Sequence, residues 1–269
     1  MSSQGCVGLI AGNGQLPLLF ARAAHAQGLR VIAVAHHGET DPALAQCVDE
    51  LTWVRVGQIN RIRQALVRAG VKRAAMAGGI GHVKALHQAR PDWGALRIIS
   101  KLTSFRDDGL LRAVAADFES AGIEIVAPTL FLKEVLASVG LIAGHALSAA
   151  EAKDVALGRE VALQLGAADV GQTVVVRTGH VLAVEAVEGT DEAIRRGCLL
   201  GGPGVVVVKL SKPGQDERFD LPAVGPGTLS VMAEGRARVL AIQSGKTLIL
   251  EGEQFVQEAE RGGISVLGV

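Results

Sequence analysis

The pattern of apolar and polar positions opens on a short apolar run, 7–11, which ends in the turn Gly12-Asn13-Gly14. Leu16–Ala26 follows with helical spacing, Gly28 stops it, and 29–34 is a second apolar run of strand length. The alternation continues with a helix over Ile59–Arg68, a strand over Arg73–Ala77 entering Gly78-Gly79, a helix over 110–120 and a strand over 123–127. Strands that are apolar throughout, separated by helices of about ten residues, predict βαβ units around a parallel sheet buried on both faces. The pattern pauses near Gly140 and resumes with an amphipathic helix over 149–165, which places a boundary between domains 1–143 and 144–269. A hairpin is expected from Thr173–Arg177 and 180–186 about the turn Thr178-Gly179, then a helix over 191–196 capped by Gly189 or Thr190. A strand over 205–210 leads into a polar loop. Segments at 229–234, 238–242, 247–250, 253–261 and 265–267 complete the chain. The fold class is α/β: a Rossmann-like parallel-sheet N-terminal domain followed by a distinct mixed α/β C-terminal domain.

Composition narrows the function. The chain has 269 residues, 49% of them apolar and 3% aromatic, with no Tyr, so aliphatic side chains must build the cores. Twenty-seven basic residues balance 27 acidic ones. A nucleic-acid binder that works by neutralising phosphates needs a basic excess, so nucleic acid is excluded as a partner. Cys6, Cys47 and Cys198 are few, odd in number and far apart, which fits neither a zinc cluster nor a disulfide framework and points to a reducing cytoplasm. Leu16–Ala26 ends in a small-residue pattern, but no Lys or Arg precedes it and Pro17 interrupts it, so it reads as a helix rather than a leader. No apolar run reaches the roughly 18 residues of a spanning helix.

Chemistry is concentrated in three places. Gly12-Asn13-Gly14 lies between strand and helix, where backbone amides and the helix dipole favour a phosphate, and Gly78-Gly79 ends another strand that could lie beside it. The dinucleotide fingerprint is incomplete. Pro17 stands where its third glycine belongs, and Ala35-His36-His37-Gly38 stands where an acid is expected, which disfavours a nicotinamide enzyme. His36 and His37 point to opposite sides of a strand and share no ion, so they read as loop or surface residues. Asp107-Asp108 reads first as a helix start. In the second domain Glu185, Glu188 and Asp191 surround a glycine turn, with capping as the competing account of Asp191. The loop from Lys212 to Pro222 combines Lys212 and Arg218 with Gln215, Asp216, Glu217 and Asp220. Cations suit phosphate oxygens, and a carboxylate suits Mg²⁺ beside them.

Taken in order, these segments resemble the LpxI family of UDP-2,3-diacylglucosamine pyrophosphatases. The matching pieces are the run from Gly8 to Pro17 with its Gly-Asn-Gly-Gln, Ala77-Gly78-Gly79, the run from Asp107 to Arg112, and the run from Asp169 to Gln172. The run from Val181 to Asp191 and the loop from Lys212 through Arg218-Phe219-Asp220-Leu221-Pro222 to Gly225 complete the set. The resemblance implies a Rossmann-like domain and a distinct C-terminal domain with the active site between them. It implies a cytoplasmic Mg²⁺-dependent hydrolase of lipid A biosynthesis that cleaves UDP-2,3-diacylglucosamine to UMP and lipid X. Water attacks the phosphorus nearer the sugar. The family's Arg-x-Asp-x-Pro motif makes Asp220 the essential carboxylate, with Lys212 and Arg218 as catalytic cations. Gly12, Asn13, Gly14, Gln15, Gly78, Gly79, Gln172, Thr190 and Gln215 are the candidate substrate contacts, and Asp220, Asp191 and Glu185 the candidate metal ligands. Pro226-Gly227 departs from relatives that carry bulkier residues there. Lipid substrate and product imply weak peripheral contact with the inner membrane. The sequence leaves monomer and homodimer both open. The alternative reading is a non-catalytic nucleotide-sugar or lipid-binding sensor on the same fold.

Overall fold

The computed structural model describes residues 5–81, 90–99 and 107–269. They form two compact units: residues up to Leu132 with Asp216–Phe219, and Lys133–Gln215 with Asp220–Val269.

In the N-terminal unit five strands are parallel in the order β3-β2-β1-β4-β5. They are β1 (Cys6–Ala11), β2 (Arg30–His36), β3 (Glu50–Val54), β4 (Arg73–Ala77) and β5 (Glu124–Val126). Among the described residues four α-helices accompany them: α1 (Leu16–Ala26), α2 (Ile59–Arg68), α3 (Trp93–Ile99) and α4 (Asp107–Ser120). Alternate residues of one strand feed two different cores. Val7, Leu9 and Ala11 pack with Leu18, Phe20, Ala21 and Ala24 of α1, whereas Ile10 packs with Ile62 and Leu66 of α2 and Phe118 of α4. Burial on both faces is why β1 and β2 are apolar at nearly every position. The strand order reverses between β1 and β4, so the crevice at their carboxyl ends is the topological switch point where such sheets take ligands. Phe219 belongs to this unit and packs against the core that contains Phe118. The strand β3 was not expected from the sequence. Its residues are mostly half-buried, and at the sheet edge its polar-apolar mixture gives no strong periodic signal.

The C-terminal unit has a mixed six-stranded sheet in the order β6-β13-β11-β9-β7-β8. Its elements begin with β6 (Gly140–Ala143), α5 (Ala149–Ala167), β7 (Thr173–Arg177), β8 (His180–Val184), α6 (Thr190–Gly201) and β9 (Val206–Lys209). They continue with β10 (Ala223–Val224), α7 (Pro226–Glu234), β11 (Val239–Ile242), β12 (Leu248–Ile249), α8 (Gly252–Arg261) and β13 (Ser265–Gly268). Strands β9, β11 and β13 are parallel; β7 and β8 form the expected antiparallel hairpin, and β10 and β12 form a separate pair. Val155 and Ala162 of α5 cover one face over Val174, Val176, Val206 and Val208. Ile194, Leu229, Met232 and Phe255, from α6, α7 and α8, cover the other over Val175, Val207, Leu240 and Ile242.

Local chemistry fixes the ends of these elements. Ser148 and Glu151 form a reciprocal capping box at the start of α5. Thr178 and Gly179 have φ of 48° and 76°, the left-handed pair that a tight hairpin turn requires. The buried carboxylate of Asp154 accepts both turn amides, at 2.8 and 2.7 Å.

The domain boundary expected after residue 143 lies earlier, between Leu132 and Lys133. The reason is β6, which local patterning leaves unread and which pairs antiparallel with β13 at the far end of the chain. Local patterning carries no record of that partner.

Candidate active site

In the N-terminal unit, Gly12-Asn13-Gly14 leaves β1 and Gly78-Gly79 leaves β4, as expected. The two loops clasp one another. Gly12 N donates to Ala77 O (2.8 Å), Asn13 N to Gly79 O (2.7 Å) and Gly79 N to the Asn13 side-chain oxygen (3.2 Å). A Cβ on Gly12 would stand 2.2 Å from Gly79 O, and one on Gly78 would stand 2.2 Å from Asn13 O. Glycine is thus required at 12 and 78 by backbone approach, and the amides of Gly12, Asn13 and Gly79 are engaged with protein rather than offered to an anion. Gly14, at φ 80°, turns the chain into Gln15 and the first turn of α1.

An acid does follow β2, three residues beyond its end, and it is engaged with the glycine loops. Glu39 Oε2 accepts from Asn13 Nδ2 (3.0 Å) and from Gly81 N (3.1 Å). His36 is no surface histidine, because its buried Nδ1 bonds Ala11 O at 2.8 Å, beside the Thr40 hydroxyl on the same carbonyl at 2.7 Å. Burial lowers its pKa below the ordinary histidine value, against the smaller effects of the Ala11 carbonyl and Glu39. His37, exposed, stacks on Trp53 instead, so the pair shares no ion. Helix α4 begins at Asp107; the side chains of Asp107 and Asp108 lie outside the described residues.

The loop after β9 divides. Arg218, in the N-terminal unit, lies in a fork with Asp216 (Nε and Nη2 at 2.9 Å to the two oxygens) and reaches Glu119 at 3.1 Å. That hydrogen bond holds the Asp216 carboxyl below the usual carboxylate range. So engaged, the Arg218 guanidinium ties the loop to Glu119 of α4 within the N-terminal unit. Lys212 and Asp220 belong to the C-terminal unit. Lys212 Nζ pairs with Asp169 at 2.8 Å, and its backbone N donates to Gln215 Oε1 at 2.9 Å. The other end of the Gln215 amide donates to Asp220 Oδ2. Gln215, expected to meet substrate, therefore holds the exposed carboxylate of Asp220 in place.

The remaining C-terminal candidates gather where β8 and β9 end and α6 begins. Thr190 Oγ1 donates to Glu185 Oε1 (3.0 Å), and Lys209 Nζ donates to Thr190 Oγ1 (3.1 Å) and to Ala223 O (3.2 Å). Glu185 and Lys209 are both buried. Burial lowers the Lys209 pKa from the ordinary lysine value, while the charges of Glu185, Asp191 and Asp220 act to raise it. Glu185 Oε2 and Gln172 Oε1 are buried and accept no hydrogen bond. Asp191 is exposed in the first turn of α6, where its charge complements the helix dipole.

Among the described residues no three His, Cys, Asp or Glu side chains form a group that could hold a metal ion. Glu185, Asp191 and Asp220, the expected metal ligands, are not gathered into such a group; the charge of each acts on the ammonium of Lys209, which sequence reasoning missed. The available signal was a lysine terminating four consecutive valines, 205–208, in a central strand.

Comparison with known proteins covers both units. Residues 6–135 match the LpxI N-terminal domain and residues 138–267 the LpxI C-terminal domain. The chain is 31% identical over 274 residues to the UDP-2,3-diacylglucosamine pyrophosphatase LpxI of Caulobacter vibrioides, spanning 98% of this chain and 97% of that protein. Among solved structures, gox2253 has a TM-score of 0.37 at 14% identity, over 97% of this chain and 78% of that one. The biotin carboxylase domain of a thermophilic 2-oxoglutarate carboxylase has a TM-score of 0.28 at 16% identity, over 73% and 33%. Neither likeness bears on fold or function.

Proposed function

The chain belongs to the LpxI family, and from that premise we propose that it hydrolyses the diphosphate of UDP-2,3-diacylglucosamine to UMP and 2,3-diacylglucosamine 1-phosphate, lipid X, in lipid A biosynthesis. The observation that carries the proposal is the match of both units in order, across 98% of the chain. In the reaction, water forms a bond to the phosphorus nearer the sugar, the bond from that phosphorus to the bridging oxygen breaks, and UMP leaves.

Asp220 is the essential carboxylate on this reading. Its Oδ2 is held by Gln215, and the side chain is exposed to an incoming ligand. Magnesium is ordinarily bound by one or two carboxylates together with substrate phosphate oxygens, so a single oriented carboxylate fits it without an all-protein cage. Held by Asp220, such an ion would supply charge neutralisation at the diphosphate and a more acidic attacking water. Lys212, on the same loop, is the cation we assign to the equatorial phosphoryl oxygens, where developing charge is largest. The ion pair with Asp169 keeps its long side chain on the loop until phosphate competes for it. Within the N-terminal unit, the entrance of α1 at Gly14 and Gln15 is the part we assign to ligand binding. The site of action is the cytoplasmic face of the inner membrane, reached by weak peripheral contact.

Incubation with UDP-2,3-diacylglucosamine and Mg²⁺, beside an EDTA control, tests this directly. UMP and lipid X should form with Mg²⁺ and fail to form with EDTA. Tight binding without UMP release, with or without Mg²⁺, would instead make the chain a sensor of its ligand.

A further inference from the structure

The polar chain at the carboxyl end of β9 does more than fill space. Alternation along the strand puts Lys209 on the side of Val207, which packs with Val175, Ala183 and Ile194 under α6. Thr173 is paired with Lys209 across the β7–β9 ladder, and Glu185 N donates to Thr173 O at 2.8 Å. Backbone register thus brings Lys209 and Glu185 to one end of one sheet face, where Thr190 opens α6.

The direction of the hydrogen bonds is fixed by chemistry. An ammonium only donates, so the Thr190 hydroxyl accepts from Lys209 at 3.1 Å and gives its own proton to Glu185 Oε1 at 3.0 Å. That leaves the second oxygen. Glu185 is 8% exposed, and its Oε2 is buried with no hydrogen bond. The large majority of buried side-chain polar atoms have a partner, and those without one require an explanation. Here one oxygen is held firmly while the other waits for a donor.

We propose that Glu185 Oε2 accepts a hydrogen bond from a hydroxyl group of the bound substrate, with Thr190 and Lys209 as the residues that position it. The proposal rests on the hydrolase reading, whose substrate carries hydroxyls on both its ribose and its hexosamine. A neutral donor suits this oxygen better than a metal ion. The Lys209 ammonium stands one hydroxyl away from the same carboxylate, and a dication at Oε2 would be repelled by it. The backbone dipoles at the start of α6 add positive potential at that end. Thr190, expected to touch substrate itself, acts on this account through Glu185.

Calorimetric titration of the full chain with UMP and, separately, with lipid X tests the assignment on the wild type, Glu185→Gln, Thr190→Val and Thr190→Ser. Glu185→Gln and Thr190→Val should each weaken one of the two ligands about tenfold or more and leave the other unchanged. Thr190→Ser, which keeps the hydroxyl, should recover most of what Thr190→Val loses. Loss confined to UMP assigns the ribose, and loss confined to lipid X assigns the hexosamine. Unchanged affinity for both ligands in Glu185→Gln would overturn the proposal. So would a shift confined to the Mg²⁺ concentration that half-activates the enzyme, since that would make Glu185 a metal ligand. Melting temperatures of the same samples establish that the variants compared are folded. Binding is measured without turnover, so a wild type that binds these ligands but releases no UMP from UDP-2,3-diacylglucosamine would defeat the hydrolase reading alone.

Discussion

His36 ends β2 with its ring buried and one nitrogen bonded to the carbonyl that ends β1. Protonation would place a charge on the other ring nitrogen, away from water, which is why burial lowers its pKa. An unfolded chain takes that proton near pH 6.5, whereas the folded chain resists it. The unfolded state therefore binds more protons as pH falls below about 6.5, and the stability His36 contributes above that pH is lost progressively toward its lowered folded value. The Asp49 and Asp216 carboxyls, also lowered, lose their contributions in a separate window that opens only below about pH 4. Thermal melts at pH 7 and pH 5 should show a fall of several degrees in the wild type and a clearly smaller one in His36→Asn. Equal slopes in the two proteins would remove His36 from the account. At this same scale the sequence is hardest to read. A lysine after four valines looks like a strand leaving the core, yet Lys209 is 7% exposed because Thr190, Ala223 and nearby carboxylates, all distant in sequence, supply its surroundings. Gln215 and Arg218 were legible as site-loop residues, but not as groups already engaged by their neighbours.

At the scale of elements, legibility followed locality. Leu16–Ala26, Ile59–Arg68 and Arg73–Ala77 begin and end where periodicity and flanking glycines place them. The edge strands β3 and β6 did not announce themselves, because an edge strand is half-exposed and its pairing is non-local. The hairpin was announced by Thr178-Gly179, but its support was not. Asp154, from the second turn of α5, receives both turn amides in a buried position. Hydrogen bonds to a charged acceptor contribute about 1.5–3 kcal/mol each, and the exposed side of the turn can recover part of that from water. Asp154→Ala should therefore cost about 2 kcal/mol in urea unfolding, without a change in the slope with denaturant. A loss under about 0.5 kcal/mol, the range of an indifferent surface substitution, would mean that the turn holds itself.

For the whole molecule, two features decide how it meets a lipid substrate. Its 27 basic and 27 acidic residues cancel, and among the described residues no helix is long and apolar enough to cross a membrane. Electrostatic attraction to anionic lipid should be weak, whereas each buried methylene of an acyl chain is worth about 0.8 kcal/mol. Flotation with phosphatidylglycerol vesicles should recover little protein at low salt and no less at high salt. Strong binding that salt abolishes would point to a basic surface that the overall balance conceals. The chemistry proposed for the molecule is hydrolysis of a diphosphate through Asp220 on the loop after β9. The most direct measurement is UMP release from UDP-2,3-diacylglucosamine by the wild type and by Asp220→Ala, side by side at saturating Mg²⁺. The account predicts UMP and lipid X in equal amounts from the wild type, and a rate at least about a thousandfold lower from the variant, whose exposed position leaves its fold intact. A wild-type rate from Asp220→Ala would contradict it.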